Sequence, residues 1–119
     1  PCVSGELIAA TVKHAKESGA AVAAQPVTDT IKESPDGKLI ERTLDRSKLW
    51  AVQTPQTFRV EVIRHAISAA RQKHMIFTDD TAACELIGQP VRLVSSVAPN
   101  PKVTVSGDLP LIEMLLQKI

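Results

Sequence analysis

The segment at residues 20–25 (AAVAAQ) limits the fold most strongly, because it is short, apolar and interrupted at both ends. Gly19 precedes it and Pro26 ends it, and both residue types commonly break regular structure. A short run of small apolar residues is typical of a strand that is buried in a parallel sheet. Periodicity alone leaves open a helical continuation of the preceding residues.

The residues before this segment predict a helix. Ser4 is a favourable N-cap, Glu6 lies in the positive first turn, and Gly19 supplies a left-handed stop. Three residues between them recur at helical spacing: Ile8, Val12 and Ala15.

Further helices and strands follow in alternation. Residues 60–73 predict an amphipathic helix, and residues 78–80 (Thr-Asp-Asp) cap a short helix that runs through residue 87. The apolar face of the first of these helices holds Ile63, Ala66, Ile67 and Ala70. Residues 91–95 predict a strand with Val91 and Leu93 facing inward, and residues 102–105 predict a second short strand. This alternation indicates an α/β fold with a parallel component.

The last helix is expected to begin near Pro110, which belongs to its first turn, with Asp108 as its cap. Its apolar residues are Leu111, Ile112, Leu115 and Leu116.

Residues 30–33 and 38–43 flank a Ser-Pro-Asp-Gly turn and predict a β-hairpin. The two strands are highly charged and leave only Ile31, Leu39 and Ile40 to bury. A two-stranded ribbon of this polarity is marginally stable alone. We therefore expect an arm, residues 30–46, that projects into solvent or lies on another subunit. We expect Leu49 and Trp50 to anchor the chain in the core where it returns from the arm. Tryptophan packs in a core more often than it provides a surface on which a ligand stacks.

The composition excludes several classes of protein. At 119 residues and 44% hydrophobic content the chain can form one modest domain, and its charge of +1 indicates neither a nucleic-acid nor a membrane-surface partner. No apolar run reaches the roughly 20 residues of a spanning helix. Cys2 and Cys84 are too few for a disulfide framework, and neither they nor the three histidines show metal-ligand spacing, so no metal site is predicted. Cysteines that form neither disulfides nor metal sites are typical of proteins in a reducing compartment, here the cytoplasm or a plastid stroma.

Two cations stand out as candidate ligands for a phosphate. Composition alone predicts that Arg46 is a surface arginine paired with Asp45 or Asp29, and that Lys102 is an ordinary loop lysine. Arginine forks and lysine point charges nevertheless bind phosphates from loops at the carboxyl ends of parallel strands. Arg46 and Lys102 occupy two such candidate loops, and Thr30 adds a hydroxyl at the base of the arm.

Five short motifs stand out along the chain: Pro-Val-x-Asp-Thr-x-Lys at 26–32, Asp-Arg-x-x-Leu-Trp at 45–50, Gln-Thr-Pro-Gln at 53–56, Thr-Asp-Asp at 78–80 and Asn-x-Lys-Val-Thr at 100–104. Together they give the chain a resemblance to the methylerythritol-phosphate cytidylyltransferases of the non-mevalonate isoprenoid pathway. All five occur in the family's order. The resemblance covers residues 1–119, and about the C-terminal half of such an enzyme.

The resemblance implies a Rossmann-like nucleotidyltransferase fold of three layers, with residues 1–119 as the C-terminal part of a single domain. It implies cytidylyl transfer from CTP to 2-C-methyl-D-erythritol 4-phosphate, with Mg2+ on the triphosphate. Arg46 and Lys102 would be the catalytic residues and would bind the methylerythritol phosphate with the help of Thr30. The arm, residues 30–46, would cross to a partner in a homodimer and lend Thr30 and Arg46 to the partner's site.

The resemblance also sets limits on this chain. The family's glycine-rich CTP loop, its electrophile-stabilising lysine and its Asp-Ala-Ala-Arg segment would all precede Pro1, so the chain alone is expected to be inactive. Pro99 and Pro101 stiffen the loop of Lys102 and affect its reach.

Two other functions compete with this interpretation. A ribitol-5-phosphate cytidylyltransferase shares the Gln-Thr-Pro-Gln and Asn-x-Lys-Val-Thr motifs, while Thr-Asp-Asp and Leu-Trp favour the methylerythritol enzyme. A non-catalytic oligomerisation module is favoured by the missing phosphate loop and the polar arm.

Overall fold

The computed structural model describes all residues, 1–119, as four helices and five strands. The helices are α1 (Gly5–Ser18), α2 (Val60–Gln72), α3 (Asp80–Leu86) and α4 (Leu109–Leu116). The strands are β1 (Ala20–Pro26), β2 (Lys32–Glu33), β3 (Arg42–Thr43), β4 (Trp50–Phe58) and β5 (Arg92–Ser95). None of the helices has both the length and the apolar composition needed to cross a membrane.

The main sheet has the order β4-β1-β5, so β1 is its central strand. Strand β1 runs parallel to β5 and antiparallel to β4. Five consecutive residues of β1, from Ala20 to Ala24, are buried. The predicted α/β class, the buried central strand and the parallel component are therefore confirmed, and the helical alternative for residues 20–25 is excluded.

Helices cover both faces of this sheet. On one face, Leu7 and Ala15 of α1 pack with Ala21, Ala23 and Val94. A second cluster joins Ala20 to residues of α2 and α3: Ala66, Ala83 and Cys84. Four of the seven residues of β1 are alanines, whose side chains end at Cβ, and α1 lies close to this strand. The result is a helix–sheet–helix arrangement of three layers.

The ends of α1 are as predicted, but its buried face is not. The Ser4 hydroxyl accepts from the Leu7 N–H at 3.1 Å, and Gly19 ends the helix with φ 97°. The buried residues are Leu7, Thr11 and Ala15, whereas Ile8 and Val12 are exposed. The buried face contains a polar residue because the Thr11 hydroxyl is satisfied: it donates to the Ile8 backbone oxygen and accepts from the Thr57 hydroxyl, each at 2.9 Å.

Strand β4 was not expected from the sequence. It pairs with the whole length of β1, with an irregular register where Val22 lies opposite Gln56 and Ala24 lies opposite Val52. Pro55 falls inside this irregular segment, and a proline cannot donate to the ladder. Trp50, the first residue of β4, lies opposite Pro26 at the sheet edge and is 38% exposed, so the expected core role of Trp50 is wrong.

The predicted α2 and α3 are confirmed within a residue of their ends, with Asp79 as the N-cap of α3. The buried residues of α2 are Ala66 and Ala70, while Ile67 of the predicted face is exposed. In β5 the inward side chain is Val94 and Leu93 is 40% exposed, so the predicted orientation of Leu93 is wrong.

The predicted strand at residues 102–105 does not form. The Asp108 carboxylate accepts from the N–H groups of Thr104 and Val105, at 2.9 and 3.0 Å, and these bonds close a turn before the 3-10 helix Ser106–Asp108. The N–H groups of Val105 and Thr104 also lower the pKa of Asp108. Because its carboxylate binds residues that precede it, Asp108 forms no side-chain cap for α4, and the predicted cap is wrong. Pro110 does lie in the first turn of α4, as predicted.

The hairpin is confirmed, with strands of only two residues each that form a separate sheet. Arg42 donates to both carboxylate oxygens of Glu33, at 2.5 and 2.8 Å, and Asp36 accepts from the N–H groups of Lys38 and Leu39. The apolar residues near the tip remain uncovered, because Leu39 is 75% and Ile40 is 64% exposed.

Both cysteines are free and buried. Burial raises the pKa of the Cys84 thiol, and the neighbouring carboxylates of Asp80, Asp79 and Glu85 raise it further. A thiol held in this protonated form is a poor nucleophile, in agreement with the idle thiols expected from the sequence.

Candidate functional site

The predicted site residues belong to connections at one edge of the main sheet. Strands β1 and β5 are parallel, and β4 is antiparallel to them, so the ends of β1 and β5 lie at the same edge as the beginning of β4. Thr30 follows β1, Lys102 follows β5, and Arg46 precedes β4. The carboxyl edge of parallel strands is where α/β proteins commonly bind their ligands.

Lys102 lines two cavities at this edge. The first, of about 450 Å³, lies between the ends of the strands and α4, and its walls include Gln25, Gln53, Asn100, Leu111 and Leu115. The second, of about 500 Å³, has no hydrophobic residue in its lining. Its walls are Lys102 together with Thr54, Pro55, Gln56, Thr78, Asp79 and Asp80.

The second cavity brings together three motifs that are far apart in the sequence: Gln-Thr-Pro-Gln, Thr-Asp-Asp and Asn-x-Lys-Val-Thr. An ammonium group binds an anion as a point charge, while threonine hydroxyls, amides and carboxylates hydrogen-bond to hydroxyl groups. The cavity therefore offers one cation, Lys102, for an anionic group, and its hydroxyls, amide and two carboxylates can bind the hydroxyls of the same ligand.

Buried amides connect the walls of the two cavities. The Asn100 Nδ2 donates to the Thr54 backbone oxygen at 2.6 Å and lies 3.4 Å from the Gln53 Oε1. The Gln56 Nε2 lies 3.4 Å from both the Gln53 backbone oxygen and the Asp79 Oδ2. Asp79 in turn caps α3. These amides were not predicted as site residues, and their only signal in the sequence was membership of a motif: Asn100 shares its motif with Lys102, whereas Gln53 and Gln56 belong to Gln-Thr-Pro-Gln.

Arg46 is held at the base of the arm. It begins a 3-10 turn, Arg46–Lys48, and its Nη1 donates to the Thr28 backbone oxygen at 2.7 Å. It forms no ion pair, so the surface pairing with Asp45 or Asp29 that composition favoured is not observed. The Asp45 carboxylate instead accepts from the hydroxyl and N–H of Ser47, at 2.6 and 3.1 Å, which lowers the pKa of Asp45.

Within one chain the structure does not bring the three predicted residues together. Neither Thr30 nor Arg46 is among the residues that line the two cavities of Lys102. Both are exposed at the base of the arm.

Comparison with known proteins places this arrangement in a family. The family model described as 2-C-methyl-D-erythritol 4-phosphate cytidylyltransferase (IspD) matches residues 1–118. The chain belongs to this family. It is 42% identical over 117 residues to the protein of that name from Pelotomaculum thermopropionicum, and 44% identical over 111 residues to the one from Geobacillus kaustophilus.

Solved IspD structures share the fold. The crystal structure from Thermus thermophilus matches with a TM-score of 0.85 at 38% identity, over 97% of this chain and 56% of that one. The structure from Francisella tularensis matches with a TM-score of 0.85 at 27% identity, over 97% of this chain and 54% of that one. The predicted Rossmann-like nucleotidyltransferase fold is therefore confirmed.

The chain spans about half the length of the curated relatives: it covers 49% of the Pelotomaculum protein and 46% of the Geobacillus protein, while those matches take in 98% and 93% of the chain itself. This overlap gives a length and not a position, so the expected placement in the C-terminal half stays a prediction.

The residues of the chain do not fit a metal that is bound by the protein alone. No group of three or more His, Cys, Asp or Glu side chains is placed to hold an ion. Asp79 and Asp80 line the second cavity, but no third His, Cys, Asp or Glu side chain completes a set of ligands there. We therefore derive no step through Mg2+ on these residues.

The contacts of Asp45 predict a pH-dependent turn next to Arg46. Because hydrogen bonds from Ser47 lower the folded-state pKa of Asp45, their stabilising effect is present above the unfolded pKa and is lost as pH falls through the folded pKa. In a pH titration followed by NMR, the Ser47 amide should shift at a midpoint below the usual aspartate range. In Ser47→Ala the Asp45 carboxyl should titrate at a higher pH, and an unchanged midpoint would contradict this account.

Proposed function

We propose that the protein to which this chain belongs transfers a cytidylyl group from CTP to 2-C-methyl-D-erythritol 4-phosphate, and that this chain carries the part that binds the acceptor. The products are 4-diphosphocytidyl-methylerythritol and pyrophosphate. The observation that carries the proposal is the polar cavity at Lys102, where three motifs meet. Membership of the family supplies the reaction, since its relatives carry that name.

The chemistry explains why such a cavity is useful. An oxygen of the acceptor phosphate attacks the α-phosphorus of CTP, the new P–O bond forms, and pyrophosphate leaves with the electrons of the bond that breaks. Both reactants are anions that repel each other, so catalysis depends mainly on positioning and charge neutralisation. Lys102 is suited to hold the acceptor phosphate, while the hydroxyl and carboxylate groups of the cavity bind the hydroxyls of the acceptor.

We propose further that Arg46 and Thr30 act on the site of a partner chain in a homodimer. Two observations support this arrangement. Neither residue lines the cavities of its own Lys102, and the arm exposes Leu39 and Ile40 with no cover from its own chain. A partner would cover these apolar residues and receive the guanidinium of Arg46, which forms no ion pair in its own chain.

Mg2+ belongs to this proposal as a companion of CTP, where it would neutralise charge on the triphosphate. The residues of this chain do not form its site, and the binding of CTP is assigned to the rest of the enzyme. Location in the cytoplasm or a plastid stroma stays an expectation.

The acceptor alcohol separates this proposal from the ribitol-phosphate alternative. The Thr-Asp-Asp motif, which favours methylerythritol phosphate, lies in the wall of the Lys102 cavity, and this position supports a contact with the acceptor. Steady-state assays of the complete enzyme with each alcohol phosphate test the choice. A higher kcat/KM with ribitol 5-phosphate would reverse it.

Removing either cation should impair acceptor binding. In the complete enzyme, Arg46→Ala and Lys102→Ala are each expected to lower kcat/KM for the acceptor by about 100-fold or more, with the affinity for CTP nearly unchanged. Arg46→Lys should also be poor, because a point charge does not replace a fork of donors. Lys48→Ala, on the same turn as Arg46, is the matched control and should retain activity. Near-normal kcat/KM in either alanine variant would refute its assigned role.

Removing the arm should abolish dimerisation and activity together. Lys32 and Thr43 lie opposite each other in the ribbon, so residues 33–42 can be replaced by an Asn-Gly turn with little strain. We expect a monomer in light scattering and no transfer activity, since Arg46 then has no partner site. A deletion variant that still forms the dimer would contradict the proposal. The milder double variant Leu39→Ser, Ile40→Ser should weaken the dimer without removing the ribbon.

The chain alone should bind CTP weakly. A triphosphate requires a nest of backbone N–H groups or a helix N-terminus with cations nearby. The glycines here are isolated, and the first turn of α1 contains Glu6, which repels an anion. Isothermal calorimetry of the 119-residue chain should detect no tight, Mg2+-dependent binding of CTP. Such binding would show that this chain carries a nucleotide site.

A further inference from the structure

A single side chain forms the hydrogen bonds that join the loop of Lys102 to distant parts of the molecule. Residues 97–103 contain no helix or strand, and Asn100, at 5% exposure, is the only one of them that is buried. Its Nδ2 donates to the Thr54 backbone oxygen at 2.6 Å and lies 3.4 Å from the Gln53 Oε1. The other hydrogen bonds of residues 97–103 go only to their chain neighbours, Ser96 and Thr104.

The orientation of the Asn100 amide follows from its partners. A backbone carbonyl only accepts hydrogen bonds, so the nitrogen of the amide must face Thr54. Pro99 and Pro101 flank Asn100, lack N–H groups and have restricted φ angles, so the neighbouring backbone offers no replacement donors. Lys102 lies two residues beyond Asn100 and two before Thr104, which Asp108 holds, so the Asn100 amide fixes the backbone on the N-terminal side of Lys102.

We propose that Asn100 is a positioning residue for the acceptor phosphate, which acts by holding the loop of Lys102 against β4. Held there, Lys102 faces the wall formed by the Gln-Thr-Pro-Gln and Thr-Asp-Asp motifs. This inference rests on the proposed role of Lys102. Asn100 binds Thr54 and Gln53, and it acts on the acceptor through Lys102.

Asn100→Asp is the sharpest test, because it keeps the shape of the side chain and replaces the donor by an acceptor. The carboxylate then faces the Thr54 backbone oxygen, which only accepts hydrogen bonds, and the two repel each other. In the complete enzyme we expect kcat/KM for methylerythritol phosphate to fall by about 100-fold, as for a catalytic group displaced by about 1 Å, while the KM for CTP stays unchanged. Val97→Ala is the matched control, since Val97 is a fully exposed residue of the same loop, and should leave both parameters unchanged.

A double-mutant cycle separates positioning from a general structural role. If Asn100 acts through Lys102, Asn100→Asp should cause no further loss of residual kcat/KM in a Lys102→Ala background, to within about twofold. A full additional loss there would overturn the inference, as would near-normal kcat/KM in a folded Asn100→Asp enzyme. If Lys102→Ala alone remains active, the proposed role of Lys102 fails, and the inference that depends on it fails as well.

Thermal unfolding shows whether each variant is folded. If Asn100→Asp does not fold, Asn100→Ser is carried through the same cycle, because its small hydroxyl retains a donor. Its loss of kcat/KM should be smaller and should likewise vanish in the Lys102→Ala background. Additive losses in the serine cycle would overturn the inference equally.

Discussion

The burial of the alanine-rich strand β1 at the centre of the sheet is the constraint on which the rest of the structure depends. Four alanines of this strand are completely buried. Protein interiors are sensitive to added volume, since one extra methylene forces neighbouring side chains or backbone to move. With β1 fixed at the centre, the positions of β4 and β5 follow, and with them the edge from which Lys102 and Arg46 extend.

The sequence predicted the parts of the fold that depend on local chemistry. The caps Ser4, Gly19 and Asp79 and the Ser-Pro-Asp-Gly turn each act through residues within one turn, and the apolar run of β1 is visible in its own residues. Long-range packing was harder to predict. Ile8 and Val12 were predicted to lie on the buried face of α1, but both are exposed. Thr11 is buried instead, because its hydroxyl forms a hydrogen bond with a residue 46 positions away. Strand β4 was missed, since proline and glutamine conceal the pattern of a strand that pairs with β1 through an irregular register.

The candidate site was likewise predicted only in part. Lys102 was identified from its motif, but its neighbours were not, because the contact of Asn100 with Gln53 joins residues that lie 47 positions apart. Which cavity a side chain lines depends on how the connections fold back over the sheet edge. Charge and spacing do not contain that information. The roles assigned to Arg46, Lys102 and Thr30 therefore stay predictions, with a geometry that explains how they would act.

The turn and ribbon of the arm are ordered by contacts made entirely within it. Glu33 and Arg42 form a bidentate pair, and Asp36 holds the tip through the N–H groups of Lys38 and Leu39. A segment that is already folded before it meets a partner loses little conformational entropy on docking. Encounter between two such chains would then need no folding step, and its rate would be limited by diffusion and orientation. The Glu33–Arg42 pair joins two opposite charges of the ribbon, so ionic strength would influence that encounter less than the number of charged residues in the arm suggests.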